Sequence, residues 1–424
     1  MAINMNNISY WTLLKTRPQY RLLWFAQVVS MLGDWFGTIA SIILVNRLAT
    51  SGLAISILFL ARGLPYFLFG PIAGVVADRF NRKVVLVTAD IMQTLVGFAF
   101  LLVIATESLL LLYLLTAVQF CLSSFFEPAR AAILPNLVQG EQELLLANTL
   151  SSTTWSAMLA LGAAVGGFAT ALFGVEMALI ANALTFIVSA VLISQIQGTE
   201  RPTPLSDQPS QSGYLDFIDG LKYVWQNPRI GVYALVKGLA QVGSVDAMFT
   251  LYAASVFVIG TDGAITLGIL YMAFGVGAVL GPVIGNTFSD NSDRFFQRWI
   301  LYGFVMLPVG WIAFSIAPTL GLAAIAIAIR AMGGSINWTY SNVQLQTHVP
   351  DNFLGRVFAL DFSFFTLCYT IAVLATGFFE DFLYLSPREI SLAFGIGALP
   401  VTLIWLVVMR WQQIPLTQQA TAAD

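Results

Sequence analysis

The side chains able to do chemistry in this sequence are ionisable groups set deep inside long apolar stretches: Asp34, Arg62, Asp90, Lys237, Asp246, Arg330 and Asp361. A charge at depth in hydrocarbon costs about 3 kcal/mol or more, so each such group is a functional candidate by default. Asp34 and Asp246 can hold a cationic group or load and release a proton. Arg62, followed by Pro65, and Arg330, followed by Gly333 and Gly334, lie halfway through their stretches. Either can bind an anionic group, or neutralise a carboxylate such as Asp34 in a purely structural pair. Lys237, Gln241 and Ser244 fall on one helical face at steps of four and three. Asp246 is on the opposite side from Lys237 unless Gly238 or Gly243 distorts the helix. Lys237 can also snorkel to an interface. Among the aromatics, Trp35, Trp338, Tyr340 and Tyr369 suit a greasy cavity wall.

The elements that hold these residues follow from composition. Hydrophobic residues make up 58% of the 424-residue chain, charged residues 10%, and mean hydropathy is +0.81. A soluble globule carries about 25% charged residues. With 19 basic and 22 acidic side chains the chain cannot wet the surface of a globule of its size, so most of that surface faces lipid. The same balance excludes intrinsic disorder, a disulfide scaffold and a nucleic-acid binder with a basic face. Cys121 and Cys368 lie in apolar runs and read as packing groups. His348 stands alone, without neighbours at ligand spacing, so no metal and no cofactor are expected.

A helix crosses the hydrocarbon in about 20 residues. Apolar stretches of that length fall at 21–46, 52–77, 84–106, 108–127, 148–173, 176–195, 230–257, 264–288, 297–316, 319–343, 356–378 and 389–410. The expected fold is therefore an all-α integral membrane protein of twelve transmembrane helices. Periodicity fails at 196–229, where Pro202, Pro204 and Pro209 cluster, and this segment separates a six-helix half at 1–195 from another at 230–424. Within it, Tyr214, Phe217, Ile218, Leu221, Val224 and Trp225 recur every three or four positions, which predicts an amphipathic helix lying on the inner leaflet. Fourteen of the 19 Lys and Arg fall on the side that includes both termini and two on the other, which predicts a plasma (inner) membrane protein with cytoplasmic termini. The halves repeat each other: Gly70-Pro71-Ile72-Ala73-Gly74 returns as Gly281-Pro282-Val283-Ile284-Gly285, and Ala26-Gln27-Val28 with Asp34 as Ala240-Gln241-Val242 with Asp246. Parallel repeats of this kind are a recurrent transporter architecture.

Further motifs carry a resemblance. Gly74-Val75-Val76-Ala77-Asp78-Arg79-Phe80-Asn81-Arg82-Lys83 resembles the signature loop of the major facilitator superfamily. Gln27 to Trp35, Ala61-Arg62-Gly63-Leu64-Pro65, Phe126-Glu127-Pro128-Ala129-Arg130 and Gln346 to Asp351 are similar to its branch of macrolide-efflux proteins and enterobactin-type siderophore exporters. The resemblance covers nearly the whole chain. It implies the major facilitator fold, two pseudo-symmetric six-helix halves whose first and seventh spans line a central cavity, placing Asp34 opposite Asp246. It also implies that Asp78 latches onto the start of span eleven. Around Gly74, Asp78, Arg79 and Arg82, the nearby Glu127, Asp90 and Asp361 are expected to serve as partners in a gating network. The sequence departs from the family pattern twice. Asn81 replaces a common Gly, which a left-handed turn tolerates. Gly162-Ala163-Ala164-Val165-Gly166-Gly167 resembles the antiporter motif, keeping the helix-packing glycines Gly162, Gly166 and Gly167 but with Ala163 in place of the kink-forming Pro.

The function expected from these features is secondary active export of a small amphipathic molecule by alternating access, in antiport with protons, by a monomer in the lipid bilayer. Neither a P-loop nor a His-Glu-x-x-His or Gly-x-Ser-x-Gly motif occurs, so ATP-driven transport and enzymatic catalysis are not expected. A lipid or lysolipid flippase of the same fold and a non-transporting membrane receptor are the rival readings.

Overall fold

In hydrocarbon every backbone polar group must be satisfied within its own segment, and this sequence does so with helices. The computed structural model describes residues 10–49, 51–197, 213–288 and 292–413, and among these no strand occurs. The N-terminal half contains α1 (Tyr10–Thr16), α2 (Pro18–Leu48), α3 (Gly52–Arg79), α4 (Arg82–Thr106), α5 (Leu109–Ile133), α6 (Gly140–Ala157) and α7 (Ala163–Ser194). Next come α8 (Gly213–Gln226), α9 (Pro228–Gly231), α10 (Val236–Leu239) and α11 (Val245–Leu251). The remaining helices are α12 (Ala264–Thr287), α13 (Asp293–Ile316), α14 (Leu320–His348), α15 (Asp351–Asp381) and α16 (Pro387–Gln413).

Short polar residues start the spans. Ser51, Ser108, Ser292 and Thr319 each accept a backbone N–H of the first turn of the helix that follows. Asn81 does the same for α4, bonding the N–H groups of Lys83 and Val84, with φ at −62°. It acts as a helix cap and not as the left-handed turn residue expected from the sequence, because a donor-rich helix start lies directly after it.

Among the described residues, ten stretches are long and apolar enough to cross a membrane. One of them, Gln142–Ser194, holds two spans, since Gly174 (φ 85°, ψ 169°) breaks α7 in a conformation that only glycine adopts readily. The seventh span is built from α9, a 3₁₀ turn, α10, α11 and a π turn at Tyr252–Val256. With these two the twelve transmembrane helices are complete. Leu95, Leu110, Leu172 and Val407 are exposed apolar side chains on the spans, as lipid contact requires.

By contacts the chain divides into two compact units, Met1–Pro209 with Val258–Met272, and Ser210–Phe257 with Ala273–Asp424. In the first, α2 lies along α7, and α4 packs on α5 and α7. In the second, α13 packs on α14 and α16. The third and ninth spans thus each hold the next span and the last span of their half, so the sequence repeat recurs as a packing repeat. Helix α8 rests on α15, with Tyr223 stacked on Phe353 at 4.6 Å and Leu221 and Trp225 exposed. The side chains of 213–219, on which much of the amphipathic pattern falls, lie outside the described residues, as does 198–212.

Candidate functional site

In the first unit, close packing of α2 on α7 sets the site. A Cβ on Gly33 or Gly37 would overlap Thr185 or Asn182 of α7. Asp34, Thr38 and Ser41 follow at i, i+4 and i+7, so they share the adjoining face of α2. That face borders an open cleft, whose wall includes Arg62 of α3, Gln119, Phe120 and Ser123 of α5, and Asn182. Asp34 is exposed to it, although it sits near the middle of the helix. Arg62 donates from Nη2 to Thr38 Oγ1 at 2.9 Å, and its guanidinium lies 4.9 Å from the Phe120 ring centroid and 5.7 Å from that of Phe59. No ion pair closes between Arg62 and Asp34 among the described residues. The cation is anchored while the carboxylate stands ready for an incoming group. Behind this wall Gln93 of α4 accepts from Ser123 Oγ at 3.2 Å and Gln119 Nε2 at 3.4 Å. Sequence reasoning missed this polar layer; its signal was two glutamines inside apolar spans.

Around the signature loop, Arg82 donates to Ala77 O at 3.3 Å and Ala132 O at 2.7 Å, and Lys83 Nζ to Ile196 O at 2.7 Å. These basic groups satisfy carbonyls at helix ends. Arg79 is exposed, and the side chains of Gly74 and Asp78 lie outside the described residues. Glu127 pairs with Arg130 at 2.7 Å, and Arg130 also donates to Gln27 at 3.3 Å. This corrects the expected pairing of Glu127 with the loop arginines: Arg130 lies one turn further along the same helix and is already in reach. Asp90 is likewise no partner of the loop. It is 1% exposed and neither of its oxygens has a hydrogen-bond partner. Away from the spans, Arg17 donates to Glu143 at 2.8 Å and its guanidinium is held above its ordinary value by that bond. Arg47 donates to Asp262 at 2.7 Å.

The antiporter-like glycines receive a neighbouring helix. A Cβ on Gly162 would come within 2.5 Å of Trp35 Cδ1, one on Gly166 within 3.0 Å of the Trp35 carbonyl, and one on Gly167 within 2.6 Å of Ala264 O. Trp35, one residue after Asp34, is thereby wedged between span five and Tyr271, whose ring centroid is 5.0 Å away.

In the second unit, Gly243 (φ 83°) ends the first part of span seven, and Ser244 caps α11. The break reorients the two charges that a straight helix would hold on opposite sides, and both meet α15. Lys237 pairs with Asp361, and Asp246 accepts from Tyr369 Oη at 3.0 Å. Lys237 and Asp361 are 4% and 1% exposed. Lys237 therefore does not snorkel, and Asp361 belongs to an ion pair and not to the loop network expected of it. The ammonium also lies 4.7 Å from the Trp338 ring centroid and 5.3 Å from that of Phe358. Gln241 is half-buried in the turn before Gly243. Arg330 is buried between Trp311 and Phe274, at 5.4 and 5.9 Å, with Nε and Nη2 lacking hydrogen-bond partners. Among the described residues no group of three or more His, Cys, Asp or Glu is placed to hold a metal ion.

Comparison with known proteins extends this picture. The family model described as Major Facilitator Superfamily matches residues 23–373. The putative bacilysin exporter BacE of Bacillus subtilis is 24% identical over 361 residues, covering 84% of this chain and 87% of its own. The enterobactin exporter EntS of Salmonella choleraesuis is 27% identical over 350 residues, 82% of each chain. Macrolide efflux protein A of Streptococcus pyogenes is 24% identical over 375 residues, covering 86% of this chain and 89% of its own. These relatives fall in the branch indicated by the motifs of spans one, two, four and ten. With a twelve-helix repeat architecture, charged groups at depth and a family match over most of its length, the chain belongs to the Major Facilitator Superfamily.

Proposed function

We propose that this protein exports a small amphipathic molecule from the cytoplasm by alternating access of its two halves, in antiport with protons. Membership of the superfamily makes it a multi-pass membrane transporter and not an enzyme. The exporter names of the three relatives support the direction and the substrate class. The observation that carries the reading is Asp34, an exposed carboxylate with no ion-pair partner among the described residues, on the wall of a cleft where Arg62 is anchored and aromatic rings supply apolar surface.

The mechanism follows from that wall. Phe120 and Phe100 take the apolar body of the substrate, and Asp34 takes its polar or cationic end. Arg62, fixed by Thr38, keeps the cavity from gathering surplus negative charge. Protons and substrate compete for the acids of this half, so proton entry from outside favours release and proton loss inside favours rebinding. Asp246 with Tyr369, and Arg330, Gln241 and Trp338 near span seven, make the second set of substrate-handling groups. The Lys237–Asp361 pair is neutral as a unit and holds the broken span against α15. Gly74, Asp78, Arg79 and Arg82 gate the path, and the monomer lies in the inner membrane with both termini in the cytoplasm.

The test is a purified preparation in liposomes under an imposed pH gradient, offered ethidium, a catecholate siderophore and a macrolide. We expect at least one probe to elicit proton flux and to move against its gradient, with Asp34→Asn falling to background. A panel that moves no probe and no protons refutes the reading. Flipping of a labelled lipid in the same liposomes, with no probe movement, assigns the fold to lipid transport instead.

A further inference from the structure

Asp90 lies eight residues into α4, about 12 Å from the helix start at 1.5 Å per residue. Its side chain is sealed at 1% exposure, and both carboxylate oxygens lack a hydrogen-bond partner. On α7, Ser189 faces it at 0% exposure, near enough to act on it but outside hydrogen-bond geometry. The basic groups nearest along the chain are occupied elsewhere: Arg82 and Lys83 bond helix-end carbonyls. Arg130 of α5 pairs with Glu127, and Arg62 of α3 bonds Thr38. Glu176, the acid on α7, is exposed just after the break at Gly174, several turns away from Ser189. Among the described residues, the charged group that acts on Asp90 is the Asp34 carboxylate of α2, which has the same sign.

An ionised carboxylate held this way, with no cation and only the Ser189 hydroxyl close by, costs several kcal/mol, whereas the neutral acid carries only the smaller penalty of a buried polar group. The site is nevertheless joined to the cavity. Gln93, one turn along α4 and 3% exposed, accepts hydrogen bonds from Ser123 and Gln119, both of which line the cavity that holds Asp34.

We propose that Asp90 is a second, sealed proton site of this transporter, and that it holds the exchangeable proton while Asp34 meets the substrate. The proposal rests on the antiport reading for its role in transport, but the proton on Asp90 is measurable without it. Hydronium entering the cavity delivers the proton: one of its O–H bonds breaks, leaving water, and an O–H bond forms at an Asp90 oxygen. The same bond breaks, returning the proton to water, when the turn carrying Gln93 separates from Ser123 and admits water behind the wall. With Asp34 and Asp90 acting on each other as like charges, ionisation of one disfavours ionisation of the other. Filling of the cavity at Asp34 is in this way felt at Asp90.

The test is infrared difference spectroscopy of the purified protein in liposomes, with no ligand added. At neutral pH we expect the C=O stretch of a protonated carboxylic acid that shifts in D₂O, disappears in Asp90→Asn and persists in Asp34→Asn. If Asp90→Asn does not fold, Asp90→Glu serves: the band must move in frequency. Absence of the band in the wild-type protein, its persistence unchanged in the Asp90 variants, or failure to shift in D₂O overturns the proposal. In ethidium efflux under a pH gradient, Asp90→Asn should keep exchange of ethidium for ethidium while losing at least tenfold in gradient-driven movement. Equal loss of both would make Asp90 structural and overturn the coupling role. A wild-type protein that moves no probe strikes at the export reading alone, and the infrared band then decides the site.

Discussion

Breaking the Lys237–Asp361 pair from either side should be costly, and removing both partners should not. Both side chains are almost wholly buried, and Asp361 Oδ1 has no partner even with the pair intact. In Asp361→Leu the ammonium is left with only the rings of Trp338 and Phe358, which return about 0.5–2 kcal/mol. In Lys237→Met the carboxylate keeps no hydrogen bond at all, so that variant should suffer more. Truncating one partner of a buried pair costs about 3–5 kcal/mol, whereas replacing both by apolar groups is often neutral or stabilising. We therefore expect each single variant to unfold several kcal/mol earlier, Lys237→Met at the upper end, and the double variant to recover at least about 2 kcal/mol of the summed loss. Unfolding of the detergent-purified protein followed by tryptophan fluorescence completes the cycle. Losses that add within about 0.5 kcal/mol would refute the reasoning, since groups in separate places behave that way.

Other substitutions separate packing from function. Gly167→Ala should cost about 1–3 kcal/mol, because the added methyl meets the backbone of Ala264 and Gly268, which cannot rotate away, while Gly70→Ala, with open space around it, should stay within about 0.5 kcal/mol in the same melting assay. Arg330→Met should be at least as stable as the wild type, since it removes a buried guanidinium with two unpartnered nitrogens, yet it should lose export of whichever probe the wild type moves; a clear loss of stability would show that the arginine is paired. Arg47→Gln should shift unfolding by less than about 1 kcal/mol, because its pair with Asp262 is exposed to screening by water.

Span positions were legible in the sequence because twenty-residue apolar runs are local signals. The repeat was legible for the same reason, since both copies carry their glycines and acids at nearly the same offset, 211 and 212 residues. Partner choice across helices was not. Opposite charges at Lys237 and Asp361 were visible, and Gly238 and Gly243 were both candidates to distort span seven, but nothing local says that Gly243 is the one that breaks it or that Lys237 meets α15. The depth of Asp90 could be read, whereas the face it occupies is set by the packing of α4 on α7. Asn81 shows the same limit on a smaller scale: its type suited a left-handed turn or a cap, and only the helix that follows decides between them.

The repeat places Asp34 and Asp246 at matching positions, yet the backbone around them differs. Asp34 stands well inside an unbroken helix of 31 residues, where all nearby N–H groups are committed to the helix itself. Asp246 stands in the first turn of α11, just after the break at Gly243, where Ser244 caps the Ala247 N–H and Tyr369 donates to the carboxylate. A carboxylate at a helix start is favoured as an ion, and one in mid-helix is not. The two inherited acids therefore sit in different backbone surroundings, and the proton exchange proposed above is assigned to the half whose first span is unbroken. Making the halves alike tests this: Gly243→Ala, which resists the positive φ of the break, should reduce export through Asp246 while leaving the Asp90 infrared band in place, and loss of that band would show that the proton site depends on both halves.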